Sequence, residues 1–445
     1  MPYPAGRRLT GTETASKLGH IEIVKSPFVK SLIGEFEYPP TAEDERGPDI
    51  WQQFSPDGIT PLTVVIAVDG SFQVITSDGH PTRSLAFVKT ALVRLDRRQM
   101  ARIDKDVPHP VLMKALMADS ALQLATALPL RNIKVPGISN YHLVRRIVRD
   151  SLLLEAGGMA HDTLKWLAYR KWRPEMRSSS PDFRCPHCPA DTAGLPYDAG
   201  AGICGNCGNE VFLTDMIGFH LEMGEDQAPD SIVSAYMLVH ETLLLFSVIR
   251  HFWERGDFAS LSNILLVKDG PLTLRGQYSK LIPAIRDLFQ HARDTGHPIH
   301  LIGQEKTGRF TDHLAEIERF AQPTVKDDPA SYAILSHGYI RREVDHGPER
   351  ASAYGIRTNY GEKVLVKLDP HTSMVLSVPT GSYNSADEFP ACMEDLIGFD
   401  RTLATLPSIL SYQHEGALMP VSLANGVASL SSYPSATVLK LFAGL

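Results

Sequence analysis

The 445-residue chain holds five cysteines, and four of them, Cys185, Cys188, Cys204 and Cys207, stand as CPHC and CGNC with fifteen residues between the pairs. No other feature limits the fold so tightly. Two short turns, each presenting two thiolates and brought together by a small hairpin, make a tetrahedral four-thiolate zinc site. Four thiolates leave no open coordination position, so the expected zinc is structural and the main chemistry has to lie elsewhere. His187 falls inside the first knuckle, but a complete set of four needs no further ligand. The start, MPYPAGRRLTG, lacks the apolar core of a secretory signal, and with clustered metal-type cysteines this points to a reducing cytoplasm. Cys392 stands alone and is expected to be a small buried apolar side chain.

The length leaves room for two or three domains. A net charge of −7 gives no global basic signature, so contact with nucleic acid has to come from local patches. The most apolar helical stretch, Tyr236–Trp253, is interrupted by His240, Glu241, Arg250 and His251, which argues against a membrane span. Residues 1–60 read as an N-terminal arm, closed by Pro39-Pro40 and TAEDERGPD. From Pro61, PLTVVIAVDGSFQVITSDG reads as a strand, a turn at Asp69-Gly70-Ser71 and a second strand; TRSLAFVKTALVRLD adds a third. The first of the three is expected to be central and buried on both faces. Helical spacing is expected from about Val111 to Trp172.

A segment with interleaved cations and aromatics, Tyr169–Arg177 with Trp172, leads through Ser178-Ser179-Ser180-Pro181 into the cysteine module. It suits either the grip of a nucleic-acid strand or an amphipathic helix with solvated cations. A long helix then runs to Gly256, followed by strand NILLVKDG, helix YSKLIPAIRDLFQHARDTG and strand HPIHLIGQEK, a β-α-β unit that implies parallel pairing. KVLVKLDPHTSMVLSV reads as a late hairpin. The order βββ, helix, β, α, β is that of a ribonuclease-H-like α/β fold with a mixed sheet. The resulting division is 61–110 and 231–445 for the two parts of this domain, with a helical insertion at 111–180 and a zinc ribbon at 181–230.

Asp69 ends one apolar run in VVIAVDGS and Asp269 ends another in ILLVKDGP, each followed by glycine, and Gly70 is expected to leave room for a nucleic-acid backbone. Either Asp-Gly alone is ordinary turn chemistry. On adjacent central strands the two carboxylates suit a site for Mg²⁺ or Mn²⁺, where two metals activate water and stabilise the leaving oxygen of a phosphodiester. IAVDGS and LLVKDGPLTLRG resemble the NurA nucleases, which have a ribonuclease-H-like fold and partner the hexameric HerA translocase. The resemblance extends through IGQEKTGRF, KVLVKLDPHTSMVLSVP and EGALMPVSLANGVASLS, covering Pro61–Leu95 and roughly Ser231–Ser435.

That resemblance implies a DNA nuclease in which Asp69 is the first metal ligand, a helical glutamate the second and Asp269 the third. Glu241 is chosen as the second because it interrupts an apolar helix face, with Glu254 as fallback. Lys306 is implied near the scissile phosphate, although an exposed strand-end lysine is equally ordinary, and Arg275 and Arg309 are candidates for backbone contact. The family's closing histidine corresponds here to Asn425, which cannot shuttle a proton near neutral pH; His414 is a substitute in space. The implied partners are DNA and a HerA-like hexameric ATPase, with a homodimer acting in end processing of broken DNA or in defence against phage. The alternative is a catalytically impaired scaffold of the same fold that binds DNA or the motor. A transposase or integrase would need the same carboxylates but also a sequence-specific DNA-binding domain, which is not evident.

Overall fold

A computed structural model describes residues 23–36, 49–100, 121–192, 194–225, 227–323, 325, 328–347, 353–411, 416–430 and 435–445. Met1–Gly47 and Pro48–Leu445 form two compact units. In the first, helix α1 (Pro27–Gly34) is capped by Ser26, whose hydroxyl accepts from the Val29 N–H.

The second unit is built on a mixed sheet of nine strands among the described residues. Four come before the cysteine module: β1 (Trp51–Gln53), β2 (Val64–Thr76), β3 (Ser84–Asp96) and β4 (Ala121–Arg131). Strands β5 (Phe183–Arg184), β6 (Asp191–Thr192), β7 (Ala201–Ile203) and β8 (Glu210–Phe212) form two small hairpins that carry the cysteines. Five more sheet strands follow: β9 (Ile264–Asp269), β10 (His300–Glu305), β11 (Ser331–Ile334), β12 (Glu362–Asp369) and β13 (Thr372–Val378). The order across the large sheet is β1-β11-β12-β13-β10-β9-β2-β3-β4. Trp51–Gln53 thus belongs to the sheet, where the sequence suggested an arm running to residue 60.

Two expectations about the meander fail for one reason. No turn interrupts Asp69-Gly70-Ser71: β2 runs straight through, paired with β3 at every position from Val64↔Asp96 to Thr76↔Ser84. The turn comes later, where the Ser77 N–H donates to Arg83 O. The third strand is β4, lying where a helix was expected, although residues 111–120 fall outside the described residues. Cross-strand pairing with β3 overrides the weak helical period of ALQLATALPLR, and an edge strand tolerates Pro129.

Strand β2 lies between β3 and β9, and its pairing with β9 is parallel, as is that of β9 with β10. Along β2 and β9, Ile66, Val68, Ile264 and Leu266 face one core; Val65, Ala67, Leu265 and Val267 face the other. The first core is covered by α2 (Asn140–Leu154), α3 (Met159–Ala168), α4 (Ser231–Glu254), α5 (Ile282–Asp294) and the cysteine hairpins. Helix α6 (Arg309–Ile317) packs on a third, smaller cluster. The second core is covered by α7 (Phe399–Thr405) and α8 (Met419–Ala428), and α9 (Ser435–Phe442) closes the chain. Helix α4 is long and apolar enough to cross a bilayer, but most of it is buried inside the fold, where it fills the first core.

Candidate functional site

The pairing of β2 with β9 ends at Val68↔Lys268, and one step further along both strands come Asp69 and Asp269. The parallel register therefore sets the two carboxylates side by side, at the point where the strands part. By the alternation of side chains they lie on the α7/α8 side of the sheet, whereas Gly70 and Lys268 lie on the α4 side. A Cβ on Gly70 would stand 2.5 Å from Met237 Cγ and 2.7 Å from Glu241 Oε1. The glycine gap is thus filled by α4, not open to a nucleic-acid backbone as expected; it admits Glu241 to the edge of β2. Glu254 lies thirteen residues along the same helix, about 20 Å away, exposed and paired with Arg250 at 3.7 Å.

Asp69 is only 5 % exposed. Its Oδ1 accepts from the Gly70 N–H at 2.8 Å, while the buried Oδ2 has no hydrogen bond of normal geometry. Burial, then the charge of Asp269, then that of Glu241 push its carboxyl up to about 7, with Asn425 and the Gly70 N–H opposing. Glu241 is 3 % exposed and its Oε2 lies 3.1 Å from Lys268 Nζ. Burial raises the Glu241 carboxyl above the usual range, against the pull of that ammonium. For Lys268, burial works against the charge, but Glu241 and neighbouring groups hold it above the usual lysine value. Lys306 Nζ lies 2.8 Å from Asp269 Oδ2, so this lysine reaches the carboxylate.

Asn425 on α8 and Lys306 line one cleft of about 610 Å³, together with Glu305, His371 and Ser422. Arg275 and Arg309 line a second, of about 400 Å³, on the other side of Glu305. Arg309 is engaged with Asp345 and lies over the rings of Phe310 and Tyr354; Arg275 is exposed. His414 lies outside the described residues.

Lys268 was missed in the sequence. Its signal was there: a lysine inside ILLVKDG and a glutamate inside LVHETLLL are single charges in apolar elements, and each needs a buried partner of opposite sign.

The cysteines form a tighter cluster. Among the described residues they are the only set of three or more His, Cys, Asp or Glu ligand atoms that all lie within 4.8 Å of one another. Cys185 and Cys207 Sγ are 3.8 Å apart, Cys188 and Cys204 Sγ 3.9 Å. A tetrahedral ion with metal–sulfur bonds of about 2.3 Å needs sulfur–sulfur edges of about 3.8 Å, so the four thiols can hold a metal such as zinc. The Cys207 and Asn206 N–H groups draw the Cys204 thiol down to about 6. His187 is no ligand. Its ring stacks on His142 at 4.8 Å, and Nε2 lies 2.9 Å from Glu210 O.

The basic and aromatic segment before the ribbon is occupied within the chain. Tyr169 is buried and its hydroxyl donates to Ala199 O at 2.7 Å. Arg173 holds Asp287 of α5 through two bonds of 2.8 and 2.6 Å, and the Trp172 indole N–H donates to the same carboxylate. Lys171 pairs with Asp198 at 2.7 Å. The segment is a latch between the ribbon and α5, not a solvated helix, and Arg177 at its end is exposed. Cys392, expected to be buried, is exposed, with its Sγ 3.6 Å from Asp395 Oδ2.

No protein-family model matches this chain, and no curated protein is significantly similar to it.

Proposed function

We propose that the chain is a metal-dependent DNA nuclease of the NurA type with a ribonuclease-H-like core, in which Asp69 and Asp269 hold a divalent cation. The observation that carries this reading is the register of the parallel pair, which sets two aspartates side by side with Glu241 adjacent. The sheet order β4-β3-β2-β9-β10, antiparallel at the first two joints and parallel at the last two, supports the fold reading. An orphaned buried carboxylate oxygen among like charges fits a hard cation such as Mn²⁺ or Mg²⁺, which prefers oxygen ligands.

When bound, that cation supplies an activated water and stabilisation of the leaving oxygen of a phosphodiester. The chain does the rest. Asp69 and Asp269 fix the ion's place. Lys306, at the rim of the cleft, can leave Asp269 for a phosphate oxygen. Asn425 donates a hydrogen bond but moves no proton near neutral pH. The zinc ribbon is structural. The resemblance to NurA extends the proposal to a cytoplasmic homodimer working with a HerA-like ATPase on DNA ends, in break repair or antiphage defence.

The test is Mn²⁺-dependent cleavage of linear DNA by wild type, Asp69→Ala and Asp269→Ala, with and without the motor. Loss of at least about a hundredfold in rate in both variants is expected; cleavage unchanged by either substitution sinks the site. A second reading, a scaffold that binds DNA or the motor without cutting, is favoured by one observation: Glu241 and Asp269 each already hold a lysine. DNA binding without cleavage, even with the motor present, selects it.

A further inference from the structure

Lys268 is the least expected group at this site. It is 1 % exposed, on a strand whose preceding residues Ile264, Leu265, Leu266 and Val267 are all buried. Its Nζ lies 3.1 Å from Glu241 Oε2 and donates to the main-chain oxygen of Asp269 at 2.9 Å. An ammonium and a carboxylate each cost several kcal/mol to bury alone, so this pair is mutually required. It also fixes the rotamer of Glu241, whose other oxygen turns into the gap left by Gly70. Asp69 and Asp269 belong to the opposite face of the sheet, and there Asp69 Oδ2 is unpartnered.

Charge leads to the same division. Three carboxylates with two divalent cations carry one net positive charge. Here Lys268 and Lys306 are built in beside the three carboxylates, so one divalent cation reaches the same balance, and a second would leave three positive charges in a largely buried site. We infer that Lys268 stands in for the second divalent cation of a two-metal nuclease: the site takes a single Mg²⁺ or Mn²⁺ at Asp69 and Asp269, and Glu241 is the counter-ion of Lys268, not a metal ligand. Lys268 is then a positioning residue. It neutralises Glu241 and, through the Asp269 carbonyl, steadies the strand end that presents the Asp269 carboxylate. This inference rests on the nuclease reading above and narrows it.

The experiment counts Mn²⁺ per chain, following the loss of the free-ion electron paramagnetic resonance signal as Mn²⁺ is titrated into the full-length, zinc-loaded protein. Wild type is expected to bind one ion; Asp69→Asn and Asp269→Asn are each expected to weaken it at least about tenfold. A double variant, Glu241→Met with Lys268→Met, removes both buried charges at similar volume, a change often neutral for folding. It is expected to keep the one ion, whereas Lys268→Met alone frees Glu241 and is expected to admit a second. Two ions in wild type, one of them lost in the double variant, overturn the inference and leave the nuclease reading standing. No bound ion, or binding indifferent to Asp69→Asn and Asp269→Asn, overturns both. Should Lys268→Met fail to fold, the double variant decides alone.

Discussion

Asp69 gives the fold a pH dependence of unusual sign. In the unfolded chain its carboxyl titrates at the ordinary 3.8; in the folded chain it titrates at about 7, through burial and then the charge of Asp269. Between those values Asp69 holds more protons in the folded state than in the unfolded state, so its own contribution to the stability of the zinc-loaded but Mn²⁺-free protein falls as pH rises from about 4 to about 7, then levels; His240 and His300, which burial pulls down to about 4, act in the opposite sense over the same range. Asp69→Asn is expected to remove this contribution. The variant should be more stable than wild type at pH 8, by an amount on the order of a few kcal/mol, and close to it at pH 4. Calorimetry of both proteins across that range checks the prediction, and a stability difference between variant and wild type that does not grow between pH 4 and pH 7 contradicts it. The same repulsion favours a cation, so Mn²⁺ should stabilise wild type more at pH 8 than at pH 5.

The latch is a test at the level of elements. Asp287 accepts from Arg173 and Trp172 and lies 3.6 Å from Arg170, so its removal leaves two guanidinium groups and a half-buried indole N–H uncompensated. Asp287→Ala is therefore expected to cost about 2 kcal/mol in urea unfolding, and Arg173→Ala, at a partly exposed position, about 1 kcal/mol or less. Neither Arg173→Ala nor Lys171→Ala should weaken DNA binding at low salt, because both cations are already paired; a marked loss would restore the strand-grip reading. Composition is ambiguous at this segment, because cations next to aromatics look the same whether their partner is a phosphate or a distant carboxylate. Asp287 follows Trp172 by 115 positions, and nothing local announces it. The β-α-β unit and the hairpin of β12 and β13 were legible, because each is a local pattern of strong apolar runs with turn residues between. Strand β4 was not: its identity comes from pairing with β3, which no window of its own sequence contains. In the candidate site, Asp269 ends β9 as its Asp-Gly suggested, but Asp69 stands inside β2, and the role of Gly70 depended on a helix packed across it.

Over the whole of Pro48–Leu445, the ribbon is no appendage. Cys185, Cys204, Phe183 and Val211 share one continuous core with Leu243, Leu244 and Phe246 of α4, the helix that delivers Glu241, and Arg145 of α2 holds Asp215 beneath it at 2.7 Å. Chelation of zinc is therefore expected to lower the melting temperature of the whole unit in one cooperative step, by roughly 5–10 °C, not to release a separate low-temperature transition. Differential scanning calorimetry with and without chelator separates the two outcomes.

The parallel pair has a further consequence, for the order of events during synthesis. Val64 pairs with Ile264, two hundred positions later, and Asn425 follows 161 positions after that. A ribosome has thus delivered the ribbon and α4 before the two aspartates can meet, and the cleft beside them waits for α8, later still. Contacts so distant form late, after the entropy of closing the long loop between them has been met by local structure. On the nuclease proposal, a pulse-labelled chain arrested short of β9 should therefore hold zinc but show no manganese site.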